Sequence, residues 1–496
     1  MANYTKFAVR SLATIFVVTG FAAFLGYIVR LVLARNLSVE EFGLFYAVFA
    51  FLASLNLFKS LGFDKSLIKF IPEFYHSNRK DLIKSSMIFV MVMQLLTNLV
   101  TIAIVYLLAD YLSIHFFHSE KAGFVLKIMA IAFFIDSFVV ILKFGFQGFQ
   151  NMFLFALLDF VRMILVLAII ITGFKLNYGI LSPVLAYTIV PAILLLGFGF
   201  IFFRYVFPGF WNSRSFIDKK ILRQISRYSF FTLATLSGAL ILQYTDTITL
   251  TYFAGLEAVA LYNIAFPTSK ILMYLPNAIG NLILPLASEL WTKKRKDLLK
   301  AGLEALYKYS MVIIVPLVFV MFSFSDLIIA VLFGSQYVPA QNAMRVLLVG
   351  VIFLTLYSIN VYFVSGIGKP EIQTRIFYIA AVFNLIGNII LIPIIGIMGA
   401  ALTTSASYLI MMTASLIEVR KFIDLHFPVK IWIQTLLMGL FLTISIYYLK
   451  RAIVLNVYAE AAIIIIASGM LYLALLFLFK VINTKEIKQL YARIIK

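Results

Sequence analysis

The sequence predicts an all-α integral membrane protein of about fourteen transmembrane helices, and three observations carry that prediction. Of 496 residues, 63% are hydrophobic and 12% are charged. Soluble domains run at roughly 45–50% apolar and about 25% charged. The apolar residues come in runs of about 20, the length that crosses a hydrocarbon core as a helix. Lys and Arg sit in short clusters between the runs, denser on every second loop, as topology rather than a binding face would arrange them.

The runs place spans near residues 7–33, 42–63, 84–109, 124–147, 152–174, 178–204, 228–253, 258–288, 306–332, 341–367, 372–394, 396–419, 430–450 and 457–480. The first, Phe7 to Leu33, is too long for the apolar core of a cleavable signal peptide and reads as the first span. Runs of this length are helices, because a strand crosses in about 9–11 residues. A helix also satisfies its own backbone polar groups in lipid.

The formal net charge of +20 would suit nucleic acid if it lay on one compact domain. It does not, so nucleic acid is excluded as a partner. The loop after the second run holds Lys65, Lys69, Arg79, Lys80 and Lys84. The loop after the sixth holds Arg214, Lys219, Lys220, Arg223 and Arg227, and that after the eighth Lys293, Lys294, Arg295, Lys296 and Lys300. The tail adds Lys485, Lys488, Arg493 and Lys496. The other face has few: Arg35, Lys121, Lys175, Lys450 and Arg451. Both termini are therefore expected in the cytoplasm, which requires an even number of spans. The longest loop, near 205–227, leaves no room for an extramembrane enzyme domain.

No cysteine is present, which excludes disulfides and thiolate chemistry. Of the four histidines only His115 and His118 are close, and a lone spacing of three with no further ligands is a weak metal signal. No metal or cofactor is expected. The absence of a Walker A pattern argues against a built-in ATPase.

The chain repeats itself at an offset of 217. LARNLSVEEFGLF around Arg35 aligns with LTYFAGLEAVALY, so Glu40 matches Glu257. Gly179-Ile180 matches Gly396-Ile397, and Phe116 matches Phe333, at the same offset. The expected organisation is two pseudo-symmetric six-helix lobes, 1–210 and 220–425, followed by two C-terminal helices and a tail over 426–496. Repeats of this kind place a substrate pathway between lobes near the bilayer midplane.

Four segments carry a family resemblance: LARNLSVEEFGLFYAVFAF, QYTDTITLTYFAGLEAVALYNIA from Gln243, LFGSQYVPAQNAMRVL from Leu332, and IPIIGIMGAALTTSASY ending at Tyr408. In this order they resemble the oligosaccharide flippases of the multidrug/oligosaccharidyl-lipid/polysaccharide exporter superfamily. The resemblance implies transport of a lipid-linked oligosaccharide, on a polyprenyl or dolichyl phosphate or diphosphate, across the cytoplasmic membrane by alternating access. It also implies a role in cell-surface polysaccharide or glycoprotein assembly. The partners implied are that glycolipid, membrane lipids, and glycosyltransferases or a polymerase of the same pathway.

A charge in mid-span costs about 2.5–3.5 kcal/mol on insertion scales, so it should face a cavity or a partner. Arg30, Lys59 and Lys270 come from spans that line the lobe interface in the resembling family. With Lys143 they are the candidates for holding a headgroup phosphate, since Arg offers paired donors and Lys a compact charge. Snorkelling competes for Arg30 and Lys59, which lie toward the ends of their spans. Asp246 and Asp136 are candidates for gating or ion coupling, and for Asp246 a structural hydrogen-bond cluster is the alternative. Asp159 and Arg162, three apart, are expected to pair along one helix. Asn277, Asn281 and Asn360 are candidates for sugar contacts, against plain inter-helix hydrogen bonding.

Two other functions compete. A cation-coupled multidrug exporter of the same fold would commonly carry an acid in the first span, and this one has none. A glycosyltransferase or ligase would need catalytic acids on sizeable outer loops, and only Glu40, Glu41, Glu120 and Glu257 are scattered there. The chain is not expected to be an enzyme.

Overall fold

The computed structural model describes residues 2–214, 218–453 and 456–481. The basic tail from Lys485 to Lys496 lies outside the described residues. The helices are α1 (Ala2–Asn36), α2 (Val39–Ser54), α3 (Asn56–Ser60), α4 (Phe63–His76), α5 (Lys80–His115), α6 (Glu120–Gly148), α7 (Met152–Lys175), α8 (Leu181–Ile201) and α9 (Lys219–Phe253). They continue with α10 (Gly255–Lys270), α11 (Tyr274–Thr292), α12 (Lys296–Ser323), α13 (Ser325–Leu332), α14 (Gln341–Gly366), α15 (Pro370–Ile395), α16 (Ile397–Arg420), α17 (Val429–Ala452) and α18 (Val457–Leu478).

Among the described residues, thirteen spans are long and apolar enough to cross a membrane. A fourteenth results when the two parts of α9, Lys219–Ala234 and Ser237–Phe253, bent by 44°, are one span. These fall where the apolar runs place them, and the protein is an all-helical multi-pass membrane protein. Lipid is the solvent of its outer face. On α5 the exposed side chains include Leu95, Leu96, Leu99, Val100, Ile104, Leu107 and Leu108, while Gln94 and Asn98 are buried, the inverse of a soluble helix.

Polar residues mark the ends of the spans. Ser38 caps α2 by accepting from the Glu41 N–H at 3.1 Å, with Glu40 and Glu41 in the first turn where the helix dipole favours acids. Asn151 caps α7 and Asp218 caps α9 in the same way.

The chain forms two compact units: Met1–Asn263 with Asn388–Ile397, and Ile264–Gly387 with Met398–Lys496. In the first, α6 lies so close to α4 that a Cβ on Gly148 would sit 2.8 Å from the Leu67 carbonyl oxygen. In the second, α14 meets α11 in the same fashion, a Cβ on Gly366 falling 2.6 Å from the Leu284 oxygen. Small residues allow such approach where lipid leaves packing as the driving force.

The 217-residue repeat is visible in the backbone. Gly179 and Gly396 both take left-handed conformations, φ 51° and 55°. Glu40 and Glu257 both lie in the first turn of a helix, and Phe116 and Phe333 both end one. Arg30 stacks on Tyr46, and at the positions 217 residues later Asn263 donates to Thr247 at 3.2 Å. The same register therefore joins both helix pairs.

Candidate functional site

The second span, Val39–Ser60, is broken between α2 and the five-residue α3, and Leu61 (φ 46°) and Gly62 (φ 75°), in the left-handed region, lead from its end into α4. A side chain at Gly62 would meet the Ser229 oxygen of α9 at 2.4 Å, so the turn requires glycine. Lys59 sits on this interrupted segment, 8% exposed. Its ammonium donates to the Phe133 carbonyl at 2.7 Å and lies 5.2 Å from that ring's centre. The Thr97 hydroxyl donates to the Lys59 carbonyl at 2.6 Å, satisfying backbone that the irregular turn exposes. Phe133 lies near the middle of α6, so the Lys59 ammonium reaches toward mid-helix. Beyond the break and outside the spans, burial pushes the Asp64 carboxyl up from its ordinary value, against the Lys65 N–H it accepts at 2.8 Å.

Arg30 lies on α1 with its guanidinium 4.3 Å from the centre of the Tyr46 ring, and it donates to the Asn263 carbonyl of α10. Pro267, four residues further along α10, has no N–H to offer that carbonyl. Arg30 therefore satisfies an acceptor that the proline orphans.

Two further charges on the α6–α7 pair, Lys143 and Arg162, are neutralised by acids. Lys143 of α6 meets Asp159 of α7 at 2.5 Å, and Arg162 of α7 meets Asp136 of α6 at 2.6 Å. This corrects the expected Asp159–Arg162 pairing along one helix. On each helix the two charges are of opposite sign, and the neighbouring helix presents the complementary order, so both pairs form across the contact. Lys143 and Asp136 are thus ion-paired. Arg30 and Lys59 rest on main-chain carbonyls and have no ion-pair partner among the described residues.

Asp246 on α9 is 1% exposed. It accepts from the Tyr262 hydroxyl, and from the Asn388 amide at 2.6 Å. Asn360, in the second unit, is fully buried. It accepts from the Tyr307 hydroxyl and donates to Ser415 at 2.8 Å, so its amide ties helices together. Asn277 and Asn281 are exposed on α11, and Lys270 at the end of α10 lies 4.5 Å from the Phe266 ring centre. These three also belong to the second unit.

Sequence reasoning did not single out Tyr46, Phe133 or Asn263 as partners of the cations. Pro267 four residues after Asn263 was the readable sign that this carbonyl needs a donor.

The family of polysaccharide biosynthesis proteins matches residues 8–291. The chain belongs to that family. Within its superfamily the MatE family also matches, over residues 235–390. An uncharacterized membrane protein of Methanocaldococcus jannaschii is 34% identical over 491 residues, 96% of each chain. A probable low-salt glycan biosynthesis flippase of Haloferax volcanii, Agl15, is 26% identical over 201 residues, covering 40% of this chain and 41% of that protein. Among solved structures, the lipid II flippase MurJ in an inward closed conformation superposes with a TM-score of 0.75 at 17% identity, covering 94% of this chain and 98% of that one. An inward-facing multidrug resistance MATE transporter superposes at 0.67 with 14% identity, over 84% and 98% of the two chains. These two likenesses establish the shared fold of this polysaccharide biosynthesis protein.

Proposed function

We propose that this polysaccharide biosynthesis protein is a flippase that carries a lipid-linked oligosaccharide, on a polyprenyl or dolichyl phosphate or diphosphate, across the cytoplasmic membrane. The observation that supports this most is the state of Arg30 and Lys59. Both are charges inside the spans, and both are held by backbone carbonyls. A carbonyl dipole stabilises a cation without cancelling its charge, so each can exchange that oxygen for a phosphate oxygen. A phosphate oxygen brings a full opposite charge that a carbonyl lacks, and this added attraction favours the exchange. Lys143 and Arg162, bound to carboxylates, would lose an ion pair in doing the same. Lys143 and Asp136 therefore act by holding α6 and α7 together.

In this reading the lobes 1–210 and 220–425 alternate access to the headgroup while the lipid tail stays in the bilayer. Lys270, Asn277 and Asn281 supply further headgroup and sugar contacts. Asp246 is the coupling group, its charge controlled by a proton or cation. The flippase name of the Haloferax relative agrees with this function. The exporter reading has the MATE likeness behind it, but two unneutralised cations suit an anionic cargo better than a cationic drug.

The test is reconstitution in liposomes with a labelled dolichyl-diphosphate oligosaccharide, scoring the fraction protected from an external glycosidase over time. Exchange faster than in empty liposomes, lost in Lys59→Ala and Arg30→Ala, is the expected result. No exchange of any lipid-linked glycan, together with gradient-driven uptake of an organic cation, would replace the flippase by the exporter.

A further inference from the structure

Arg30 and Lys59 are joined by a continuous series of aromatic rings. From Arg30 on Tyr46 (4.3 Å) the series passes to Phe45 (5.3 Å between ring centres), then Tyr187 (5.5 Å), Phe49 (5.7 Å) and Phe133 (5.6 Å), which carries Lys59 at 5.2 Å. Phe45 is buried, 1% exposed. Tyr46, Tyr187, Phe49 and Phe133 are each partly open. Three elements contribute them: Tyr46 and Phe49 from one face of α2, Tyr187 from α8, Phe133 from α6. All lie in the first unit.

The rings at the two ends bear cations, Lys59 buried and Arg30 partly buried, which lipid would not tolerate. The open part of the series therefore faces the space that Arg30 and Lys59 face. Edge-to-face and tilted packing leaves each partly open ring some free π-surface. A pyranose ring has an apolar face of C–H groups whose partial positive charge matches the negative face of an aromatic ring. Its hydroxyls, at the rim, stay in water. An aromatic face can thus hold a sugar without demanding one hydroxyl pattern.

We propose that Tyr46, Phe49, Tyr187 and Phe133 form a stacking track for the saccharide rings of the cargo, with the diphosphate held at the cations that end it. The track gives the first unit a binding site for the glycan distinct from the phosphate contacts. It also gives a path: Arg30 lies against Tyr46 midway along α2, Lys59 beyond the Ser54 end, and sugars stacked on rings slide between them at low cost in specific hydrogen bonds.

This rests on the flippase reading, and the test separates the two. The full-length protein in detergent is titrated with dolichyl diphosphate and with dolichyl-diphosphate tetrasaccharide, and binding is followed by native mass spectrometry. In Phe49→Leu and Tyr187→Leu, which keep an apolar side chain but remove the aromatic face, affinity for the tetrasaccharide lipid should fall about tenfold, the factor given by ~1.4 kcal/mol. Affinity for the sugar-free lipid should stay within about twofold. If the leucine variants do not fold, Phe49→Trp serves instead. Its emission should change on adding the tetrasaccharide lipid and not on adding dolichyl diphosphate. Equal loss for both lipids, no loss for either, or a tryptophan that responds identically to both would overturn the track. Failure of the wild-type protein to bind either lipid would overturn the flippase reading itself.

Discussion

At the residue scale, what distinguishes one cation from another in this molecule is the chemistry of its acceptor. Asp136 and Arg162 are 23% and 20% exposed and bond at 2.6 Å. Removing one partner strands the other in a poorly solvated place. Asp136→Asn should lower stability by about 2–3 kcal/mol, below the figure for a wholly buried pair because some water reaches both groups. Adding Arg162→Gln to that variant should recover much of the loss, since the uncompensated charge goes with it. Thermal unfolding in detergent measures both; a double variant as weak as the sum of the singles would show that the pair is not coupled. The four charges were legible in the sequence, and so was their cost in lipid. Their pairing was not, because spacing along one helix cannot report the rotation of its neighbour. For Asn360 the sequence offered sugar contact or helix bonding, and burial against Tyr307 and Ser415 favours the second.

At the element scale, prolines within spans create carbonyls that other helices answer. Pro316 interrupts α12 and leaves the Val312 carbonyl without its N–H donor. The Tyr472 hydroxyl of α18 donates to that oxygen at 3.0 Å, within the buried cluster of Val312, Met438, Leu442 and Leu476. Trp432 of α17 bonds the Tyr307 carbonyl at 3.3 Å and Lys450 the Ser323 carbonyl at 2.7 Å. The C-terminal helices are thus fastened to α12 along its length. Tyr472→Phe should cost about 1–3 kcal/mol, the penalty of an unmet buried acceptor. In a Pro316→Ala background, where the restored N–H fills the acceptor, the same change should cost nearly nothing. Equal costs in both backgrounds, read by thermal unfolding, would sever the link between proline and tyrosine. Span positions were legible because hydropathy alone sets them. The break in the second span and the left-handed turn just after it were not: NLFKSLGF has no proline, and the turn lies where α9 closely approaches Gly62.

At the scale of the whole molecule, topology turns on the bend in α9. From Asn78 to Lys294 the chain passes through α5, α6, α7, α8, α9 and the α10–α11 span. If α9 crosses despite its 44° bend, that is an even number of crossings, and the two basic turns lie on one side. If it enters and leaves by the same face, they lie on opposite sides. Positive charge argues for the first case, because Arg79, Lys80, Lys293, Lys294 and Arg295 then share a face. The sequence supplies a clean background for the measurement, having no cysteine of its own. Asn78→Cys and Lys294→Cys should both resist a membrane-impermeant maleimide in intact cells and react after lysis. His118→Cys and Asn177→Cys, in turns separated from Asn78 and from each other by odd and even crossings respectively, should react in intact cells. Opposite behaviour of Asn78→Cys and Lys294→Cys would make α9 re-entrant. It would also reduce the chain to thirteen crossings and put its ends on opposite sides of the membrane, with Asp246 then on a re-entrant helix instead of a spanning one.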